Sequence, residues 1–148
     1  MPQFARPSAD TNNPGGYTDQ SGGSTNIYTA INEATPNDTN YIQSPTSPSN
    51  AVYVTKLSAV TAPGVTSGHI IRMRTSASLD NQQNISITQE LRQGYTNESS
   101  LGTLIASQTR SPINSTTWTL SEYTLTAAEA GAITDYSNLY FRFISTVV

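Results

Sequence analysis

The chain has 148 residues, no cysteine, a formal net charge of −3 and only 11% charged residues. That excludes a disulfide framework, a thiol nucleophile and a cysteine-based zinc site, and it argues against bulk attraction to nucleic acid. The deficit is filled by uncharged polar residues (22 Thr, 19 Ser, 12 Asn and 8 Gln), a composition poor in helix formers and rich in residues that suit pleated surfaces. An all-β domain follows, and the length predicts one domain. No run approaches 18 apolar residues, so no membrane-spanning helix is expected. The N-terminus lacks a basic stretch followed by an apolar one, so no secretory signal is expected.

Residues 1–25 read as an extended N-terminal arm outside the core. They hold Pro2, Pro7, Pro14 and four glycines, with Phe4 and Tyr17 the only large apolar residues besides Met1. Proline removes donors and glycine raises the cost of ordering. Fully extended, the arm would reach roughly 80–90 Å. Its order would come from a molecule outside its own domain.

The domain proper is expected over 26–148. Asn26–Ile31 reads as a first short strand and 35–38 as a turn. Tyr41–Ser44 reads as a brief extended piece closed by Pro45 and Pro48. Ala51–Val60 alternates, with Val52, Val54 and Lys56 on one side and Tyr53, Thr55 and Leu57 on the other. His69–Ser76 would turn Ile71 and Met73 inward and Arg72 and Arg74 outward. Leu79–Gln83 reads as a loop. Asn84–Arg92 places Ile85, Ile87 and Leu91 on one face, with polar Gln89 the odd member. Leu101–Thr109 is the next strand, and Ser111-Pro112 marks a loop.

Ser115–Thr126 changes phase between Trp118/Leu120 and Tyr123/Leu125, which calls for a bulge near Ser121-Glu122. Thr126-Ala127-Ala128-Glu129 matches a capping box, so 127–133 holds the one helical turn. Leu139–Thr146 alternates most clearly, with Leu139, Phe141 and Phe143 inward. Short strands at this spacing, with one small helix, point to an antiparallel β-sandwich of jelly-roll type, eight strands in a double sheet fitting the count.

Chemistry-bearing residues are sparse. His69 is the sole histidine, and its nearest carboxylate in sequence is Asp80. A nucleophile–base–carboxylate arrangement has no support there. The ten acids are scattered, which disfavours a glycosidase pair. A calcium site would have to draw on turn carboxylates such as Asp38 or Asp80. An enzyme is therefore the least favoured class, and no cofactor is implied.

Arg72, Arg74 and Arg142 would form either a positive stripe or cross-strand pairs with acids such as Glu90. Tyr41, Tyr53, Tyr95 and Tyr140 are the tyrosines expected at the surface, where they could serve an interface or stack on sugars. The four Asn-x-Ser/Thr sequons are close to the about three that this composition gives by chance and carry no weight.

Three stretches are familiar together. Arg6-Pro7-Ser8-Ala9-Asp10 precedes Ile27–Ile42 (IYTAINEATPNDTNYI). Gly68–Arg74 (GHIIRMR) is followed by Leu91-Arg92-Gln93-Gly94. Trp118 and Tyr123-Thr124-Leu125-Thr126 precede Ile133–Phe143 (ITDYSNLYFRF). The ensemble resembles small jelly-roll domains in tailed-bacteriophage structural proteins and related prophage genes, over about residues 6–144.

The resemblance implies a virion component, made in the host cytoplasm. Stand-alone chains of this size look like capsid decoration (cement) proteins, and similar domains occur in tail and fibre proteins. The matching motifs are structural, and no functional residue is carried over from them. The expected partners are the major capsid protein and neighbouring copies of the chain, as a trimer or other small oligomer, with no nucleic acid and no membrane. The arm residues Phe4, Arg6 and Tyr17 are the expected contacts. The rival readings are a carbohydrate-binding module, using exposed tyrosines and amide side chains, and a tail- or fibre-associated structural domain.

Overall fold

The computed structural model describes residues 2–78 and 83–148. In chain order the elements are β1 (Pro7–Asn12), β2 (Thr18–Asp19), a 3-10 turn (Ile27–Ala30), β3 (Ile42–Gln43), β4 (Ala51–Leu57) and β5 (Ile70–Thr75). There follow β6 (Ile85–Gln93), β7 (Thr103–Ile113), β8 (Thr119–Thr124), α1 (Ala127–Gly131) and β9 (Leu139–Val147). Leu79–Gln82, in the expected 79–83 loop, lie outside the described residues, as does the candidate calcium ligand Asp80.

The pairing is a wound ribbon. β6 and β7 form the innermost antiparallel pair, β5 and β8 the next, and β4 and β9 the outermost. β9 then bonds β6, which rolls the ribbon on itself. One sheet has the order β1-β4-β9-β6-β7, and β5-β8 and β2-β3 are separate two-stranded ribbons. The chain crosses between the large sheet and the β5-β8 ribbon at each connection from β4 to β6 and from β7 to β9. This is antiparallel jelly-roll winding with three ribbon pairs. The expected eight-stranded double sheet has one pair more. The second layer is therefore narrow, and among the described residues nothing covers part of the large sheet's inner face.

β4 is buried along almost its whole length because both its faces are covered. Tyr53 packs inward with Tyr17, Ile27 and Ala51, while Val52 and Val54 pack outward against Tyr95 and Tyr140. β9 follows the expected alternation: Leu139 and Phe141 pack with the cluster around Ile71 and Leu125, and Phe143 against Tyr53. Its opposite face is also covered, since Tyr140 and Ile144 lie under Tyr95.

The expectation of a loose arm over 1–25 is corrected. β1 pairs antiparallel with β4, from Pro7 opposite Leu57 to Asn12 opposite Val54. The reason is physical: the backbone groups along β4's edge need partners, and 6–12 supply them. Pro7 opens the strand, where a missing donor is least costly. The clamp continues outward: the Ser58 N–H donates to Arg6 O at 2.7 Å, and the Gln3 amide both donates to and accepts from the Thr61 backbone. Gly15 serves close approach, because a Cβ there would sit 2.2 Å from Val52 N.

Three local expectations are corrected as well. Asn26–Ile31 is not a strand but contains the 3-10 turn. The Asp10 carboxylate accepts the N–H groups of Ile27 (3.0 Å) and Tyr28 (2.9 Å), which fixes a tight turn that buries Ile27 and Ala30 on one side. Ser111-Pro112 lies within β7, at a register shift on the outermost strand, where proline costs no ladder bond. β8 needs no bulge. Its register with β5 is regular, and Leu120 points outward while Tyr123 faces inward. The capping box forms as expected: the Thr126 hydroxyl accepts from Glu129 N, and the Glu129 carboxylate accepts from Thr126 N.

Candidate functional site

The three expected partner contacts separate. Phe4 is 59% exposed, and the Arg6 guanidinium lies over its ring at 5.3 Å from the centroid. The clamp to Ser58 and Thr61 fixes this pair on the surface. Tyr17 is 2% exposed and belongs to the core. Its hydroxyl donates to Ser145 Oγ at 2.7 Å, and burial pushes the phenol up to about 12. It is removed from the set of partner contacts, because an amphipathic ring with an internal hydroxyl partner gains more from burial than from exposure.

Among the described residues, a cleft of about 1680 Å³ runs between the large sheet, the β5-β8 ribbon and the 30–48 segment, larger than the roughly 300–1,000 Å³ of an ordinary small-molecule pocket. Ile87, Phe141 and Phe143 line it from β6 and β9; Met73 flanks it on β5 and Ile42 on β3. Phe141 and Phe143 are only half-buried.

Among the described residues, the β5 edge beside this cleft has no strand neighbour. Leu125 N–H donates to His69 O at 2.9 Å. By antiparallel alternation, the backbone groups of Ile71, Met73 and Thr75 then face β8, and those of Ile70, Arg72 and Arg74 face away. Gln89, 1% exposed, supplies what a neighbouring strand would: its Nε2 donates to Arg72 O at 3.1 Å. Its Oε1 accepts from Gln108 Nε2 at 2.6 Å. The polar residue out of place on an apolar face was the one sequence signal for this contact. Thr75 Oγ1 is buried here without a hydrogen-bond partner among the described residues.

The arginines do not form a stripe. Arg72 pairs with Glu122 across the β5-β8 ribbon, and Arg74 binds Asp38 through Nε at 2.9 Å and Nη2 at 2.6 Å. Arg142 lies on the outer face of the large sheet. It bonds Glu98 at 2.6 Å and Glu90 at 3.1 Å, and Glu90 also holds Arg92 at 2.7 Å. Glu90 and Arg142 are direct cross-strand neighbours, as the pairing alternative anticipated. The Arg142 hydrogen bonds hold the Glu98 carboxyl below its ordinary range, and Glu98 in turn raises Arg142. Tyr95 donates to Glu98 at 2.8 Å and accepts from Asn12 at 2.9 Å, so the network ties the 95–98 turn and β1 to the sheet.

His69 Nε2 lies 2.7 Å from the Tyr136 hydroxyl, and among the described residues neither a serine nor a carboxylate completes a relay. Among the described residues no three His, Asp or Glu side chains converge on a metal-sized space. Of the four tyrosines expected at the surface, Tyr53, Tyr95 and Tyr140 are buried, each covered by the second side of its strand or by the 95–101 loop. Tyr41 stays accessible. Its ring meets the only tryptophan, Trp118, at 5.7 Å between centroids and 48° between planes. Nothing in the sequence links these residues; the fold does.

A scan against protein-family models and searches of curated proteins and of solved structures found no match.

Proposed function

We propose that the chain is a bacteriophage virion structural protein, a capsid decoration protein that binds the outer surface of the head and stabilises it. The observation that carries this reading is how the polar chemistry is used. Arg72, Arg74, Arg92 and Arg142 are each paired with an acid of the same chain. Large apolar side chains meanwhile face outward, at Phe4, Val65, Ile70, Leu104 and Leu120. A surface of that kind suits packing against other protein, since interface cores are depleted in charge. The resemblance of residues 6–144 to phage jelly-roll domains points the same way.

In this reading Phe4 and Arg6 form the contact, held just ahead of β1 by the bonds to Ser58 and Thr61 and not on a free arm. The mechanism is mechanical. Contact area bridging adjacent capsomers adds free energy that pressure or heat must overcome, and repetition over many sites multiplies it.

The test is co-sedimentation of the full chain with shells assembled from the major capsid protein of the phage or prophage that carries it. Saturable binding, lost in a Phe4→Ser, Arg6→Ser double variant that still folds, is the expected result. No binding to shells, or binding indifferent to that variant, refutes the proposal.

A further inference from the structure

The geometry points to a binding site for a neutral glycan on the outer face of the β5-β8 ribbon, built from Tyr41, Trp118, Asp38 and Arg74. It stands apart from attachment to a shell and does not require it.

Segment 36–43 is tied to that ribbon at two points. Asp38 receives the planar two-bond grip of Arg74, and three residues later Tyr41 packs on Trp118. Arg74 lies opposite Leu120 in the β5-β8 register. Trp118 immediately precedes β8, two residues from Leu120. Leu120, opposite Arg74 and two residues from Trp118, is 47% exposed. An aromatic surface and a planar polar pair are therefore set side by side on one face.

Both rings keep part of their surface open to solvent. Within the described residues, neither the Trp118 indole N–H nor the Tyr41 hydroxyl has a hydrogen-bond partner.

Pyranose chemistry matches this layout. A sugar ring has a C–H face that stacks on an indole or phenol, and a rim of hydroxyls that donate and accept. Asp38 uses one lone pair on each oxygen for Arg74 and retains others. Arg74 retains its Nη1 donors. The two charges cancel, which favours an uncharged ligand. An anionic ligand would meet the Asp38 carboxylate, and a wholly apolar one would strip water from the ion pair with no replacement.

The experiment uses the full chain and a panel of neutral mono- and oligosaccharides of glucose, galactose, mannose and N-acetylglucosamine. Trp118 is the only tryptophan, so its fluorescence reports this site alone. A saturable change with at least one sugar is expected. Calorimetry with that sugar should then show binding weakened at least about tenfold in Tyr41→Ala, the usual consequence of removing a stacking ring. Asp38→Asn keeps the side chain's size and breaks the paired grip. It should weaken binding similarly while its urea midpoint stays within the range of a surface variant. Leu104→Ser, on β7, should bind as wild type. The proposal is overturned if no sugar in the panel gives a saturable change, or if binding survives unchanged in Asp38→Asn.

Discussion

Asp10→Ala removes the group that joins the N-terminal strand to the rest of the fold. Its carboxylate accepts from Ile27 N at 3.0 Å, Tyr28 N at 2.9 Å and the Tyr53 hydroxyl at 2.7 Å. Tyr53 is fully buried, and Ile27 nearly so. A donor stranded out of reach of water costs about 1–3 kcal/mol; these three sites are part-buried, so water entering the space recovers part of that. A net loss of ~3–5 kcal/mol follows, a large share of the roughly 5–15 kcal/mol that holds an ordinary domain together. Asp10→Asn retains one acceptor oxygen and should lose about half as much. Urea unfolding followed by tyrosine and tryptophan fluorescence measures both, with an unchanged m-value expected. A loss below about 1 kcal/mol in Asp10→Ala would refute the reasoning, because three part-buried donors cannot be abandoned so cheaply.

Gly15→Ala forces a Cβ to 2.2 Å from Val52 N, whereas Gly22→Ala meets nothing within 4 Å. The first should cost more than ~2 kcal/mol and the second about 1 kcal/mol, read as shifts in urea midpoint. Thr75→Val replaces a buried hydroxyl without a partner among the described residues by an isosteric methyl, and should raise stability by ~1 kcal/mol in the same assay. Glu98 has a folded pKa held below its ordinary value of 4.5 by the hydrogen bonds from Arg142. A lowered pKa contributes stability that is present above the unfolded value and lost as pH falls through the folded one. The stability gap between wild type and Glu98→Gln should therefore be widest above the ordinary value and narrow on acidification below it; parallel pH curves would contradict this.

What was legible in the sequence was local. Strands β4, β5, β6 and β9 show their alternation because each turns one set of side chains to the sandwich interior between turn residues, even where Tyr95 covers the other set of β4 and β9. The capping box was legible because Thr126 and Glu129 complete it without help from elsewhere. The N-terminal strand was not, because the residues that hold it are distant: Asp10 is fixed by Tyr53 and Tyr17 by Ser145. Its proline and glycine look loose until Val52 is placed against Gly15. The same holds for the candidate sites. Phe4 stays exposed with Arg6 over its ring, whereas Tyr17, read from the composition of its neighbours as a contact residue, is in the core. The Tyr41–Trp118 pair joins residues that only the ribbon winding brings together.

The most direct test of the account is amide hydrogen exchange on the purified chain without any partner. If β1 is an integral strand, the hydrogen-bonded amides within Pro7–Asn12 should be protected to the same degree as those of β4, to which they are paired. Exchange across this segment at the rate of an unstructured peptide, with β4 and β9 still protected, would contradict it and return the N-terminus to a free arm awaiting a partner.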